Sequence, residues 1–418
     1  MLLNRDRANM IMDLYELDAL ILREKQNVYY FTDYTESLSE GGWPFASLAI
    51  LPRNESIPPT LIIPSISLQT LDRESPSWVK NIIAYSDYSG RHFQNQNNKK
   101  NYDEPAAAVY EGWPTRSDSE LSYLEKVWSQ RRDDYRSKVA ASPAWALFRS
   151  INESGLQKSR IGTDDLRLTN WLYEMGHKNI KAVDALNIIR EIRLIKTSKE
   201  IQIMKQAAVI NETSTLKAID SINEGGLWSD IRTNYASHIA SLGGRMRYLN
   251  TYLGGLPKER VVLDEPFFID ALGEYKHYLA DFGRTVVVGN PTDELIERMS
   301  CLESGFRSGL EILKPGVKKS EIVKKIVQTV NKLGFKDFFN VTPHSLGLEH
   351  TDNPILFGPN VHDGIHDFKL EENMIINIDM PHVEYGWGSI HIEDTLLITK
   401  DGYEGLTSLD TKLIIKTN

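Results

Sequence analysis

Residues 267–288 read FFIDALGEYKHYLADFGRTVVV, and the fold of the second half of the chain turns on how that run is divided. β-Branched and aromatic residues dominate it, which favours strand over helix. Two strands are expected, Phe267–Tyr275 and Tyr278–Val288, with Gly273 and Glu274 offering a turn. Asp270 and Asp281 are 281 − 270 = 11 residues apart, an odd spacing that would put them on opposite faces of one uninterrupted strand. A hairpin instead brings both carboxylates to one face.

The pattern repeats outward. Met374–Val383 and Ile390–Thr399 are two further strand-like runs rich in β-branched residues. Thr197 and Glu200 have capping-box spacing, and Ile201, Met204 and Ala208 follow at helical steps. Trp228, Ile231, Tyr235, Ile239 and Leu242 make an apolar stripe, and Leu295–Leu313 and Glu321–Leu333 are helices of the same kind. Residues 196–418 are therefore expected to form an α+β domain of helices packed on an antiparallel sheet. Residues 1–195 read as a separate α/β domain, with strand-like runs at Leu17–Leu22, Ala46–Leu51 and Thr60–Ile63. Ser86–Ser117, polar and holding NQNNKKN, is expected to be a long surface loop.

Bulk properties narrow the class of function. With 418 residues, 41% hydrophobic and 25% charged, the chain has room for two globular cores. A net charge of −9 without a basic patch argues against a nucleic-acid partner; Arg131-Arg132 is followed at once by Asp133-Asp134. The single cysteine, Cys301, excludes an internal disulfide framework and points to a reducing, cytoplasmic setting. No apolar run approaches a membrane span, and the first 22 residues are broken by Asp and Glu where a signal peptide would be apolar.

Five side chains then stand out, in or beside apolar strand segments: Asp270 in FFIDALG, Asp281 in LADFGRT, His344 in TPHSLG, Asp379 in INIDMP and Glu393 in HIEDT. Burying a carboxylate costs several kcal/mol unless it is paired or metal-bound. Those segments hold too few cations to neutralise four carboxylates, whereas two divalent metal ions would. Oxygen-rich coordination with one imidazole suits manganese, iron, cobalt or zinc, and magnesium less.

These motifs resemble the pita-bread (M24) metallopeptidase superfamily, in its Xaa-Pro aminopeptidase, prolidase and creatinase branch. IRLIKTSKEIQIMKQAA looks like the branch's linker and first helix, FIDALGEYKHYLADFGRT its paired-aspartate hairpin, and PHSLGLEHTDNP its histidine loop. ENMIINIDMP and SIHIEDTLLITKDGYEGLT look like its last two ligand strands, and the N-terminal half, with NVYYFTDY, is similar to the creatinase-type N-terminal domain. The resemblance implies a creatinase-like domain followed by a pita-bread domain with a curved sheet, and a homodimer. It implies that Asp270 holds one metal, that Asp281 and Glu393 bridge both, and that His344 and Asp379 hold the other, with water as nucleophile.

Four departures bear on activity. Asp379 stands where the family has Glu, and His391 where it has Arg. The histidine the peptidases carry near position 253 is absent from RYLNTYLGGLPKERVV, and His350 lies one step before the family's second histidine position, Thr351. His350 and His391 are the candidate catalytic groups, and His350 rather than Thr351 is expected to face the metals. Tyr252 and Trp387 are candidate substrate-binding residues, with Trp43 and Tyr248 beside them, and Arg284 reads as a structural pairing residue. The expected function is hydrolysis of an amide bond in a short peptide of Xaa-Pro type, weak for want of the histidine near 253. The alternative is a non-peptidase of the same fold acting on a small amine, amide or sulfonium compound.

Overall fold

The structure is a computed structural model, and it describes residues 1–36, 41, 47–69, 71, 76–86, 113–251, 259–355 and 367–417. The chain divides into two compact units, Met1–Ile192 and Arg193–Asn418. Tyr252, Trp43 and most of the 86–117 loop lie outside the described residues.

In the first unit six strands form one mixed sheet: β1 (Ala19–Leu22), β2 (Leu48–Pro52), β3 (Thr60–Pro64), β4 (Asn81–Tyr85), β5 (Arg160–Thr163) and β6 (Lys181–Asp184), in the order β4-β3-β2-β1-β5-β6. Ile21, Ile50 and Ile62 project from its centre into a core completed by Ala146, Leu147 and Ile151 of the helix Pro143–Glu153 and by Leu168 and Leu172 of the helix Leu166–Glu174. This is the α/β unit expected from the sequence.

The second unit carries the site. Its strands are β7 (Arg245–Asn250), β8 (Phe267–Tyr275), β9 (Tyr278–Val288), β10 (Thr342–Ser345), β11 (Ile375–Glu384), β12 (Gly388–Ile398), β13 (Tyr403–Gly405) and β14 (Ile414–Lys416). The main path β10-β11-β12-β9-β8-β7 is antiparallel throughout, and β14 adds a parallel partner to β9. β8 and β9 keep the expected boundaries, but the turn falls at Lys276 and His277, not at Gly273 and Glu274. Both turn residues have positive φ, 48° and 68°, the backbone of a two-residue hairpin turn whose twist matches the strands on either side.

Alternation along the strands separates a helix-covered face from a polar one. On β11, Ile376, Ile378 and Met380 pack with Ile390 and Ile392 of β12 against Leu302 and Phe306 of the helix Asp293–Leu310 and Ile322, Ile326 and Val330 of the helix Lys319–Lys332. On β8, Phe267, Ile269 and Ala271 pack against Ile210 and Ile219 of the helix Ser198–Asp220 and Tyr235 and Ile239 of the helix Trp228–Ser241. The capping box at Thr197 and Glu200 starts the first of these helices where the sequence places it.

The helices 293–310 and 319–332 touch closely at Gly305, where an added Cβ would stand 2.3 Å from Val330 Cγ2. Alanine gains about 1 kcal/mol of helix propensity over glycine, but overpacking costs about 1–3 kcal/mol. Gly305→Ala should therefore lower the midpoint of urea unfolding, and a second change, Val330→Ala, should recover part of the loss; a more stable single variant would contradict this packing.

Candidate metal centre

The strand register arranges the polar face in two rows. In the first, Asn250 pairs with Asp270, Asp270 with Gly283, Gly283 with Glu393, Glu393 with Asp379, and Asp379 with Thr342, so one line crosses six strands. The second row runs through Tyr248, Leu272 and Asp281 on one side and Asn377 and His344 on the other. All five side chains expected as ligands thus stand on one face, in adjacent rows. Ligand atoms of Asp270, Asp281 and Glu393 lie within 4.8 Å of one another, as do those of Asp281, His344 and His350 and those of Asp379, His391 and Glu393.

The donor atoms fit a cation. Asp270 Oδ1, Asp281 Oδ1, His344 Nε2 and Glu393 Oε2 are buried and have no hydrogen-bond partner among the described residues. Such atoms are rare in folded proteins without a bound ion or water to satisfy them. Burial, followed by the charge of Asp281, pushes Asp270 up to about 7. Burial and the charges of Asp281, Asp379 and Asp270 raise Glu393 well above the usual carboxylate range. Burial and neighbouring His350 lower His344, which leaves a neutral ring with a lone pair to donate.

Asp379 is held differently. One of its oxygens is 2.6 Å from His391 Nε2, and the other accepts from Thr342 Oγ1 at 2.8 Å. Burial opposes its charge, yet the hydrogen bond and charge of His391 hold it below the ordinary value, and burial likewise opposes the charge of His391, which Asp379, Asp270 and Asp281 hold above it. Asn377 Nδ2 donates to Glu393 Oε1 at 3.1 Å. Behind the row, on the helix-covered face, buried Arg284 donates to Asp394 Oδ1 at 2.8 Å and to the Glu393 carbonyl at 2.9 Å, the structural pairing expected of it.

Past β10 the chain leaves the sheet at Gly347, and His350 turns inward: its Nε2 is 3.0 Å from Asp281 Oδ2, while Nδ1 is 3.3 Å from Thr351 Oγ1. Burial opposes its charge, but Asp281, with Asp270 and Asp379, holds it above the ordinary imidazole value. A buried ion network fixes this loop. Asp352 pairs with Arg193 at 2.5 Å and with Lys196 at 2.9 Å, and Arg193 also reaches Glu349 at 2.6 Å. A Cβ at Gly347 would fall 2.1 Å from Asp352 Oδ2, so only glycine lets the loop close on the network.

Two expected substrate residues fare differently. Trp387 stands in the turn between β11 and β12, 393 − 387 = 6 residues from Glu393, or roughly 20 Å along the strand. It stacks under Arg298 at 4.2 Å and packs against the helix-side core, so the sequence expectation for it is corrected. Tyr248 lies in the second row, its ring centroid 6.3 Å from that of His350. Burial and the charges of Asp281, Asp270, Glu393 and Asp379 push its phenol far up, which keeps it a hydrogen-bond donor. Asn250, Thr342 and Asn377 were not singled out in the sequence; their one signal is that they face the ligand motifs across the strands.

Residues 202–400 match metallopeptidase family M24, and residues 5–112 match the creatinase/prolidase N-terminal domain. The M24 match thus lies within the second unit, Arg193–Asn418, and the creatinase/prolidase match within the first. The chain is 29% identical to a Xaa-Pro dipeptidase of Pyrococcus horikoshii over 248 residues, 57% of this chain and 68% of that protein. It is 27% identical to a Xaa-Pro dipeptidase of Pyrococcus furiosus over 256 residues, 59% of this chain and 71% of that one. Its fold matches the crystal structure of the prolidase from Pyrococcus horikoshii OT3 with a TM-score of 0.67 at 20% identity, covering 98% of this chain and 99% of that one. An X-Pro aminopeptidase from Thermotoga maritima matches with a TM-score of 0.68 at 18% identity, covering 99% of both chains. The expected α+β architecture, a creatinase-like unit followed by a pita-bread unit, holds, and the chain is a metal-dependent hydrolase.

Charge crowding fixes a sign. Asp270 at about 7 sits above an unfolded carboxylate, so it stabilises the metal-free fold fully below about pH 4, and that contribution is lost as pH rises through about 7. The chelator-treated protein should lose melting temperature from pH 5 to 8. Added manganese or zinc should restore more at pH 8 than at pH 5. A metal effect that is equal at both values would contradict the crowding.

Proposed function

We propose that this hydrolase is a dinuclear metallopeptidase acting on the Xaa-Pro bond of short peptides. The observation that carries it is the convergence on one face of buried atoms from Asp270, Asp281, His344 and Glu393 that have no partner among the described residues. Its relatives at 29% and 27% identity are both Xaa-Pro dipeptidases, which supports peptide hydrolysis over the alternative of a small amine, amide or sulfonium substrate. In this reading Asp270, Asp281, His344, Asp379 and Glu393 would hold the ions, and manganese, iron, cobalt and zinc all suit such donors. The bound ions would supply Lewis acidity and a nucleophilic water near neutral pH.

The chain's own groups handle the proton and the substrate. His350, partly exposed and held above the ordinary imidazole value, donates a proton to the leaving amine. Tyr248, kept protonated by burial and then by the surrounding carboxylates, supplies a hydrogen bond where peptidases of this branch carry the histidine missing near position 253. His391 is 1% exposed and faces carboxylates, so it does not reach substrate from this position. The single cysteine supports a cytoplasmic location, and no helix among the described residues is long and apolar enough to cross a membrane. A homodimer is part of the same reading, carried by the resemblance.

Xaa-Pro dipeptides, Met-leading peptides, creatine, ectoine and dimethylsulfoniopropionate, each tested with the four metals, decide the substrate. Turnover of the dipeptides is expected, and turnover of a small non-peptide alone would overturn the proposal. Asp281→Ala and Glu393→Ala should lose bound metal together with activity, as elemental analysis would read.

His350→Ala should keep its metal while kcat falls ~10²-fold or more. Thr351→Val should be mild. The reverse ranking of these two variants would place Thr351, not His350, in the proton-transfer role.

A further inference from the structure

We infer that His391 is itself a metal ligand, forming with Asp379 and Glu393 a position in the centre that carries its own imidazole. The inference rests on the metal reading above and adds to it a donor that reading does not use.

Geometry selects this role over that of a proton donor to substrate. The His391 side chain is 2% exposed. The ring lies beside Phe268, with centroids 4.8 Å apart and the planes tilted by 58°. The edge bearing Cε1 and Nδ1 lies over Gly283, where a Cβ would come within 2.3 Å of both atoms. The remaining edge, Nε2, is 2.6 Å from Asp379 Oδ1 and 3.7 Å from Glu393 Oε2. A substrate has no approach to this nitrogen, whereas an ion between the two carboxylates meets it directly.

With metal–ligand bonds of about 2.0–2.2 Å, neighbouring donor atoms stand roughly 3.0–3.5 Å apart. The separations of 2.6 and 3.7 Å lie just to either side of that range, so an ion would replace the hydrogen bond to Asp379 with small side-chain shifts, and Asp379, His391 and Glu393 form one of the three donor groups among the described residues. Gly283 is the one member of its row without a side chain, and the space it leaves is where the imidazole lies. A second imidazole in the centre, beside that of His344, shifts its preference toward zinc, cobalt or iron and away from manganese.

X-ray absorption on the zinc-loaded full chain counts coordinated imidazoles directly. The wild-type protein is expected to show two per chain, from His344 and His391. The count should fall by one in His391→Gln and stay unchanged in His350→Gln. Zinc affinity of His391→Gln, measured against a competing chelator, should drop ~10-fold or more. Glutamine keeps a hydrogen-bond donor for Asp379, so a merely hydrogen-bonding His391 would leave count and affinity intact in that variant and overturn the inference. A single imidazole in the wild type would overturn it as well, whatever the variants' folding. Full zinc retention in Glu393→Ala would instead sink the underlying metal reading, which keeps the two failures distinct.

Discussion

Mutual repulsion among Asp270, Asp281, Asp379 and Glu393 is the constraint around which the second unit is built. At an effective dielectric of about 20, two unit charges 5 Å apart repel by roughly 3 kcal/mol, and four carboxylates share one face of one sheet here. The sheet accepts them because its other face is a deep apolar core and its strands are long and regular. The eleven residues of β9 and the eleven of β12 are buried throughout. Arg284 and Asp394 lock the backbone of Glu393 from behind, so the strain falls on protonation and cation binding and leaves the strand positions alone.

Rigidity on the loop side has a different origin. The segment carrying His350 meets the sheet only through single backbone hydrogen bonds, such as that from Leu279 N to the Gly347 carbonyl at 2.8 Å, and its position comes also from Arg193, Lys196, Glu349 and Asp352, four charges exchanged within a buried cluster. Removing one partner from such a cluster strands the others, typically at about 3–5 kcal/mol. The imidazole that faces Asp281 is thus held by the ion pairs of its near neighbours in the chain, Glu349 and Asp352. Loop and sheet reach the same carboxylate by separate means.

Much of this was legible in the sequence because β-strand periodicity and ligand chemistry agree there. The boundaries of β8 and β9, the capping box at Thr197 and the strands around Asp379 and Glu393 follow from residue pattern alone. The turn was misplaced because Gly273 is the more familiar turn signal, while Lys276 and His277 adopt positive φ with nothing in their identity to announce it. Strands β5, β6, β7 and β10 were missed because they are four to six residues long and take their definition from neighbours. Trp387 read as a pocket aromatic because a sequence shows that it follows the fourth ligand, not how far a ten-residue strand carries it away. The partners Asn250, Thr342 and Asn377 depend on register across strands far apart in the chain, which no local pattern encodes.

Gly283 has a bearing on descent. A side chain there and an imidazole at position 391 compete for the same volume, since a Cβ would come within 2.3 Å of the ring. The two positions therefore behave as one heritable unit although they lie 391 − 283 = 108 residues apart. With the histidine in place the glycine cannot be lost without displacing the ring, so a change at either position is felt at the other.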